Sequence, residues 1–315
     1  MDGLSWQTPP NFLNLPDEAA DPERARFVVM PVPLETEFPD PPGARYGPQA
    51  ILAASRRLDR YDEELRMETW QQGIHTAPVL TPDGNDAAGF FDRLSERVET
   101  YLRAGKFPLL LGGEQIIGAA AVRAAAAVRA DVSVLHLDAR PDLLDADGGR
   151  PLAPRCAARR MRESARSLVQ AGIRSVSPDE RALLDARGKG IVTILDRDLR
   201  DFRRALPVIL KGLTDRVYLS IDLSVLDPAL MPACADPVPG GPGWHDLLDL
   251  LRAVAESKTI VAADISGLCP MEEDGQPDLV AAKLAYRLMG YVGADRPGEG
   301  RKAKSEGRRA RGGRR

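Results

Sequence analysis

Three polar segments each close an apolar run, and their side chains set the chemistry to consider. They are Gly112-Gly113-Glu114-Gln115, Asp138-Ala139-Arg140-Pro141-Asp142, and Ser220-Ile221-Asp222-Leu223-Ser224-Val225-Leu226-Asp227-Pro228. Carboxylates gathered at strand ends, as Asp138, Asp142 and Asp222 would be, raise one another's pKa unless something positive sits among them. A hard metal ion and a nearby Arg are the candidates. The competing reading has each Asp cap a following helix or fix a turn, a common role for Asp after a strand.

Such residues need strands to carry them. Apolar, β-branched runs predict strands at Arg26 to Val32, Pro108 to Gly112, Val132 to Asp138, Val169 to Arg174, Ile191 to Leu195, Arg216 to Asp222 and Thr259 to Asp264. Between them, Phe90, Leu94, Val98 and Leu102 recur at helical spacing, as do Val280, Leu284 and Leu288. Alternating β and α elements imply an α/β fold with a mostly parallel sheet covered on both faces. Ligand sites in such sheets lie at the carboxyl ends of the strands, where all three polar segments fall.

Composition narrows the function classes. The chain has 315 residues, 43% of them hydrophobic, enough to bury a sizeable core. Cys156, Cys234 and Cys269 are too few and scattered for a disulfide framework or a zinc pair. No apolar stretch approaches the roughly 20 residues that span a bilayer, and Met1 to Leu15 lacks the pattern of an export signal. A cytoplasmic protein without membrane contact is therefore expected. The net charge of −3 hides a basic end: residues 301–315 hold eight Lys or Arg against Glu306, so the tail carries +7 and the rest −10. The tail reads as disordered, with weak polyanion contact as its functional reading and a solubilising extension as the bland one.

Five segments, in order, resemble ureohydrolase motifs: Pro42-Gly43-Ala44-Arg45-Tyr46-Gly47-Pro48-Gln49-Ala50-Ile51, the Gly112-Gly113 strand end, Asp138-Ala139, Ser220-Ile221-Asp222 through Asp227-Pro228, and Pro237-Val238-Pro239-Gly240-Gly241. Over roughly residues 10 to 293 the chain resembles the arginase, agmatinase and formiminoglutamase relatives. The resemblance implies an arginase-like, three-layer α/β sandwich with a central, mostly parallel eight-stranded sheet. No low-complexity linker interrupts 25–293, which reads as one domain after an N-terminal extension (1–24) and before a basic tail (294–315). The resemblance also implies a trimer or hexamer, or a mixed assembly with an active paralogue.

Active members of that family hold two manganese ions with six His and Asp ligands. Asp138, Asp142 and Asp222 match three of them, while Gln115 and Arg140 stand where two His belong and Ser224 where the last Asp belongs. Gly267 aligns with the glutamate that meets the substrate guanidinium. A guanidinium cannot ligate a metal, so the second metal position is expected to be lost. These departures lead to the expectation of a non-catalytic relative with no cofactor, in a structural, regulatory or ligand-sensing role. Arg140 would sit among Asp138, Asp222 and Asp142 in place of the cation. The alternative is a hydrolase of guanidino or amidine C–N bonds in which Asp138, Asp142, Asp222 and Gln115 hold one Mn, Mg or Ca ion. Of the three histidines, His136 shares a strand face with Asp138, His75 reads as a loop residue, and His245 lies near a helix start.

Overall fold

Continuously apolar strand runs, without the alternation of a half-exposed sheet, call for burial on both faces. The computed structural model of the chain, which describes residues 11–36, 43–82, 87–185, 190–272 and 274–294, has that arrangement. Its strands are β1 (Phe27–Val32), β2 (Ile74–Thr76), β3 (Phe107–Gly112), β4 (Val132–Leu137), β5 (Leu168–Ile173), β6 (Ile191–Leu195), β7 (Arg216–Asp222) and β8 (Thr259–Ser266). They form one eight-stranded sheet in the order β2-β1-β3-β8-β7-β4-β5-β6, with every pairing parallel. The seven expected strands are present, with ends shifted by one or two residues. Three-residue β2 was not foreseen, and it moves His75 from a loop into a strand, where Nδ1 lies 2.9 Å from the Ala20 carbonyl.

Strand alternation divides the interior into two cores. Val29, Leu109, Leu135, Val169, Leu219 and Ala263 face helices Gly47–Ser55, Phe202–Gly212, Trp244–Ser257 and Gln276–Gly293. Val28, Leu110, Val134, Leu168 and Tyr218 face helices Ala87–Arg103, Ile117–Val128 and Ala157–Ser164. Phe90, Leu94 and Val98 are fully buried, as their spacing predicts. Each buried Leu, Val or Phe stabilises the fold by roughly 1.5–3 kcal/mol relative to exposure, so both faces hold the sheet.

The strand order places the site. β3 and β4 are consecutive in sequence, yet β8 and β7 lie between them. Such a break in order opens a crevice beyond the carboxyl ends. Gln115, Gly267, Asp222 and Asp138 follow β3, β8, β7 and β4, four adjacent strands. Sequence positions more than a hundred residues apart thus converge. The basic segment 301–315 lies outside the described residues.

Candidate metal centre

β4 delivers Asp138, 3% exposed, into a tight turn. Its Oδ1 accepts from the Arg140 backbone N–H at 2.9 Å and from Ser224 Oγ at 2.8 Å. Asp142 stands at φ +50°, a left-handed conformation that Asp tolerates better than most residues. At the end of β7, Asp222 Oδ1 accepts from the Ser224 backbone N–H at 2.8 Å and caps the turn Leu223–Val225. The turn-fixing reading of these aspartates is therefore correct for one oxygen of Asp138 and of Asp222. It leaves the remaining oxygens free for other work.

Electrostatics shows what that work requires. Burial, with Asp222 and Glu180 nearby, pushes Asp142 up to about 8. Burial first, then Asp142 and Asp222, raises Asp138 well above the usual carboxylate range, and burial likewise raises Asp222. The protein supplies too little positive charge for three carboxylates. Among the described residues, no Lys or Arg forms an ion pair with any of the three.

Arg140 does not take the expected place. Its Nη2 pairs with Asp236 Oδ2 at 2.8 Å, and Asp236 is largely exposed. The backbone N–H of Arg140 is the part that touches Asp138. Full burial of a guanidinium costs several kcal/mol in desolvation, so a long side chain that can reach a hydrated partner at the rim does so. From there its charge still favours the ionised forms of Asp142 and Asp222.

Gln115 and His136 line the inner wall. His136 is fully buried, and burial depresses its pKa to about 3, so the ring is neutral and suited to ligation or to orienting a neighbour. Its Nε2 lies 3.0 Å from the Gln115 amide end and 3.6 Å from Asp138 Oδ2. That amide can be turned two ways, and only one turns its contacts with Asp138 Oδ2 and the Asp222 N–H into hydrogen bonds. Turned one way, its nitrogen donates to Asp138 Oδ2 at 2.9 Å and its oxygen accepts from the Asp222 N–H and Ser220 Oγ. Turned the other, its oxygen accepts from His136 Nε2, and its nitrogen donates to Ser220 Oγ at 3.2 Å. Gln170 favours the second, because its Nε2 donates to the Pro141 carbonyl and lies 3.4 Å from His136 Nδ1, which leaves the ring proton on Nε2. That orientation brings an amide oxygen against Asp138 Oδ2, an arrangement a shared cation would stabilise.

The donor set thus fits a hard divalent ion. His136, Asp138 and Asp142 bring ring and carboxylate atoms within 4.8 Å of one another, and with its proton on Nε2 His136 orients Gln115. Gln115 adds an amide oxygen and Asp222 a carboxylate. The expectation that no metal is held loses its support, because the cation that was to replace it, Arg140, faces outward. Sequence alternation had placed His136 on the face of Asp138, and the ring does lie against that carboxylate.

Gly267 follows β8 at φ +87°, and a Cβ there would lie 2.7 Å from both Asp222 carboxylate oxygens. Ser224 supports Asp138 through a hydroxyl, and a hydroxyl is not an anionic ligand. Burial raises the thiols of Cys234 and Cys269 to about 12, with Asp222 adding to both, so they stay protonated. His245 is exposed on helix Trp244–Ser257.

The sequence model described as "Arginase family" matches residues 25–290. The chain belongs to the arginase family. It is 37% identical over 275 residues to an N(1)-aminopropylagmatine ureohydrolase of Thermus thermophilus, covering 86% of this chain and 92% of the relative. It is 31% identical over 277 residues to an agmatinase of Bacillus anthracis, covering 86% and 93%. The solved agmatine ureohydrolase of Thermoplasma volcanium superposes with a TM-score of 0.78 at 26% identity, covering 87% of this chain and 92% of that one. These arginase-family relatives carry the names of hydrolases of guanidino C–N bonds. They overturn the non-catalytic role expected from the residues at 115, 140, 224 and 267, and favour the alternative of a hydrolase with an altered site.

Proposed function

We propose that this arginase-family chain hydrolyses a guanidino or amidine C–N bond at a site that takes one hard divalent cation through Gln115, Asp138, Asp142 and Asp222. One observation carries the reading: three inward carboxylates meet at adjacent strand ends while Arg140 pairs with Asp236 at the rim. Oxygen donors of this kind suit manganese, magnesium or calcium. When bound, such a cation supplies Lewis acidity and lowers the pKa of water near neutrality.

The chain's own groups have separable tasks. Ser224 Oγ and the Arg140 N–H hold Asp138 Oδ1, which leaves Oδ2 toward Gln115. Neutral His136 sets the rotation of the Gln115 amide. Arg140 and Ser224 occupy the positions of the second ligand set, and neither offers an anionic donor. The names of the relatives support a substrate of the agmatine class, with an apolar chain between a guanidinium and an amine.

The test is turnover. Purified chain supplied with Mn2+ is offered agmatine, aminopropylagmatine, arginine, guanidinobutyrate and formiminoglutamate, and urea, ammonia or formamide is measured. Release from at least one compound, abolished in Asp142→Asn, is expected. Equal background release from both proteins with every compound would contradict the proposal.

A further inference from the structure

Arg174 follows β5, outside the set of residues the sequence singles out, yet it touches the turns after both β4 and β7 that carry Asp138, Asp142 and Asp222. Its backbone N–H donates to the Ala139 carbonyl at 2.8 Å, and the next residue, Ser175, donates to the same oxygen at 3.0 Å. This fastens the Asp138–Asp142 turn. Its side chain reaches the other two loops. Nη2 donates to the carbonyls of Ser224 at 2.7 Å, Leu226 at 3.1 Å and Val238 at 3.0 Å. Nη1 donates to Val225 O at 3.0 Å and Gly172 O at 3.3 Å, and Nε to Val238 O at 3.2 Å.

We propose that Arg174 is a positioning residue that clamps the Asp138–Asp142 turn against the Asp222–Leu226 turn and so fixes the spacing of the carboxylates. The proposal rests on the single-cation reading above. Planarity is the reason for arginine: a rigid fork with five N–H donors can engage four main-chain carbonyls of two loops at once, which a lysine ammonium on a flexible stem cannot. Each of the three carbonyls from Ser224 to Leu226 receives a donor, so the whole turn after Asp222 is tied down. The second loop is shaped for this contact. Gly241 lies at φ +102°, where a Cβ would stand 2.4 Å from the Val225 carbonyl, so only glycine lets that loop press on the turn. Among the described residues, the side-chain hydrogen bonds of Arg174 all go to neutral carbonyls. Its charge is not spent on a hydrogen-bonded carboxylate, and it acts on Asp138, Asp196 and Asp227 through space.

The experiment uses the full chain, with Arg174→Lys and Arg174→Met beside a control, Arg287→Lys. Arg287 is a buried arginine in a separate cluster with Asp62, Glu63 and Glu64. Free Mn2+ is followed by electron paramagnetic resonance, and backbone hydrogen exchange by mass spectrometry over 138–144 and 222–228. Both Arg174 variants are expected to weaken Mn2+ binding by about tenfold or more and to raise exchange in both turns selectively. The control is expected to lower Tm without either change. Unchanged exchange in both turns of folded Arg174→Lys overturns the proposal. Failure of both Arg174 variants to fold while the control folds also overturns it, since Arg174 would then serve general stability. If the unaltered chain takes up no Mn2+, the cation reading fails, and the exchange result alone decides the clamp.

Discussion

At the scale of single residues, Gln115, Arg140 and Ser224 stand where the resemblance implies ligands of a two-metal centre, and Gly267 where it implies the substrate glutamate. Arg140 is tied by its backbone to Asp138 and by its guanidinium to Asp236, so it blocks ligation without entering the cluster. Rebuilding the missing donors should therefore add a cation: Arg140→His with Ser224→Asp is expected to raise bound Mn2+ from one to about two per chain by elemental analysis. The added Asp would lie against Asp138, so the double variant should lose Tm in chelator and regain it with Mn2+. Gly267 behaves differently. At φ +87°, with Asp222 oxygens 2.7 Å from any Cβ, Gly267→Glu should cost roughly 1–3 kcal/mol in chemical denaturation and fail to restore a substrate-binding glutamate. Unchanged stability would show that the turn relaxes around the new side chain.

At the scale of elements, β8 adds a buried acid that the site does not use. Asp264 is fully buried and accepts from Tyr218 Oη at 2.8 Å, Ser266 Oγ at 3.0 Å and Ser220 Oγ at 3.1 Å. Burial outweighs these donors and raises its pKa to about 7 from an ordinary 3.8. The folded chain then holds a proton that the unfolded chain releases, so this group's favourable contribution is complete below about 4 and is lost as pH rises to about 7. Asp264→Asn removes that loss. Its Tm relative to the parent should be higher at pH 8 than at pH 5, by on the order of a few degrees, and a pH-independent difference would contradict this. Elements also divide what was legible from what was not. Seven strands and the strand-end aspartates could be read because long apolar runs end on them. β2 could not, since three residues carry no period, and neither could the direction of Arg140, whose partner Asp236 lies in a loop far along the chain. Arg174 left one signal: a cation that closes the β5 run in the same position as the acids that close β4 and β7.

At the scale of the whole molecule, an all-parallel sheet whose strand order breaks between β3 and β4 creates one crevice, and the acids fall into it. The fold and the family were legible in the ordered motifs. The hydrolase class of the relatives pointed the other way from the ligand count, because substitutions at ligand positions read as loss when counted. The geometry instead brings His136, Asp138 and Asp142 within 4.8 Å of one another, with Asp222 and Gln115 beside them at the adjacent strand ends. Arginase-family relatives named as hydrolases favour the reading of the chain as a hydrolase. The most direct test is a titration of metal-free chain with Mn2+ against an agmatine-class substrate, with product release plotted against equivalents of metal. Release that rises and saturates at about one Mn2+ per chain is predicted. No release at any ratio, or saturation only at two, would contradict a single-cation hydrolase.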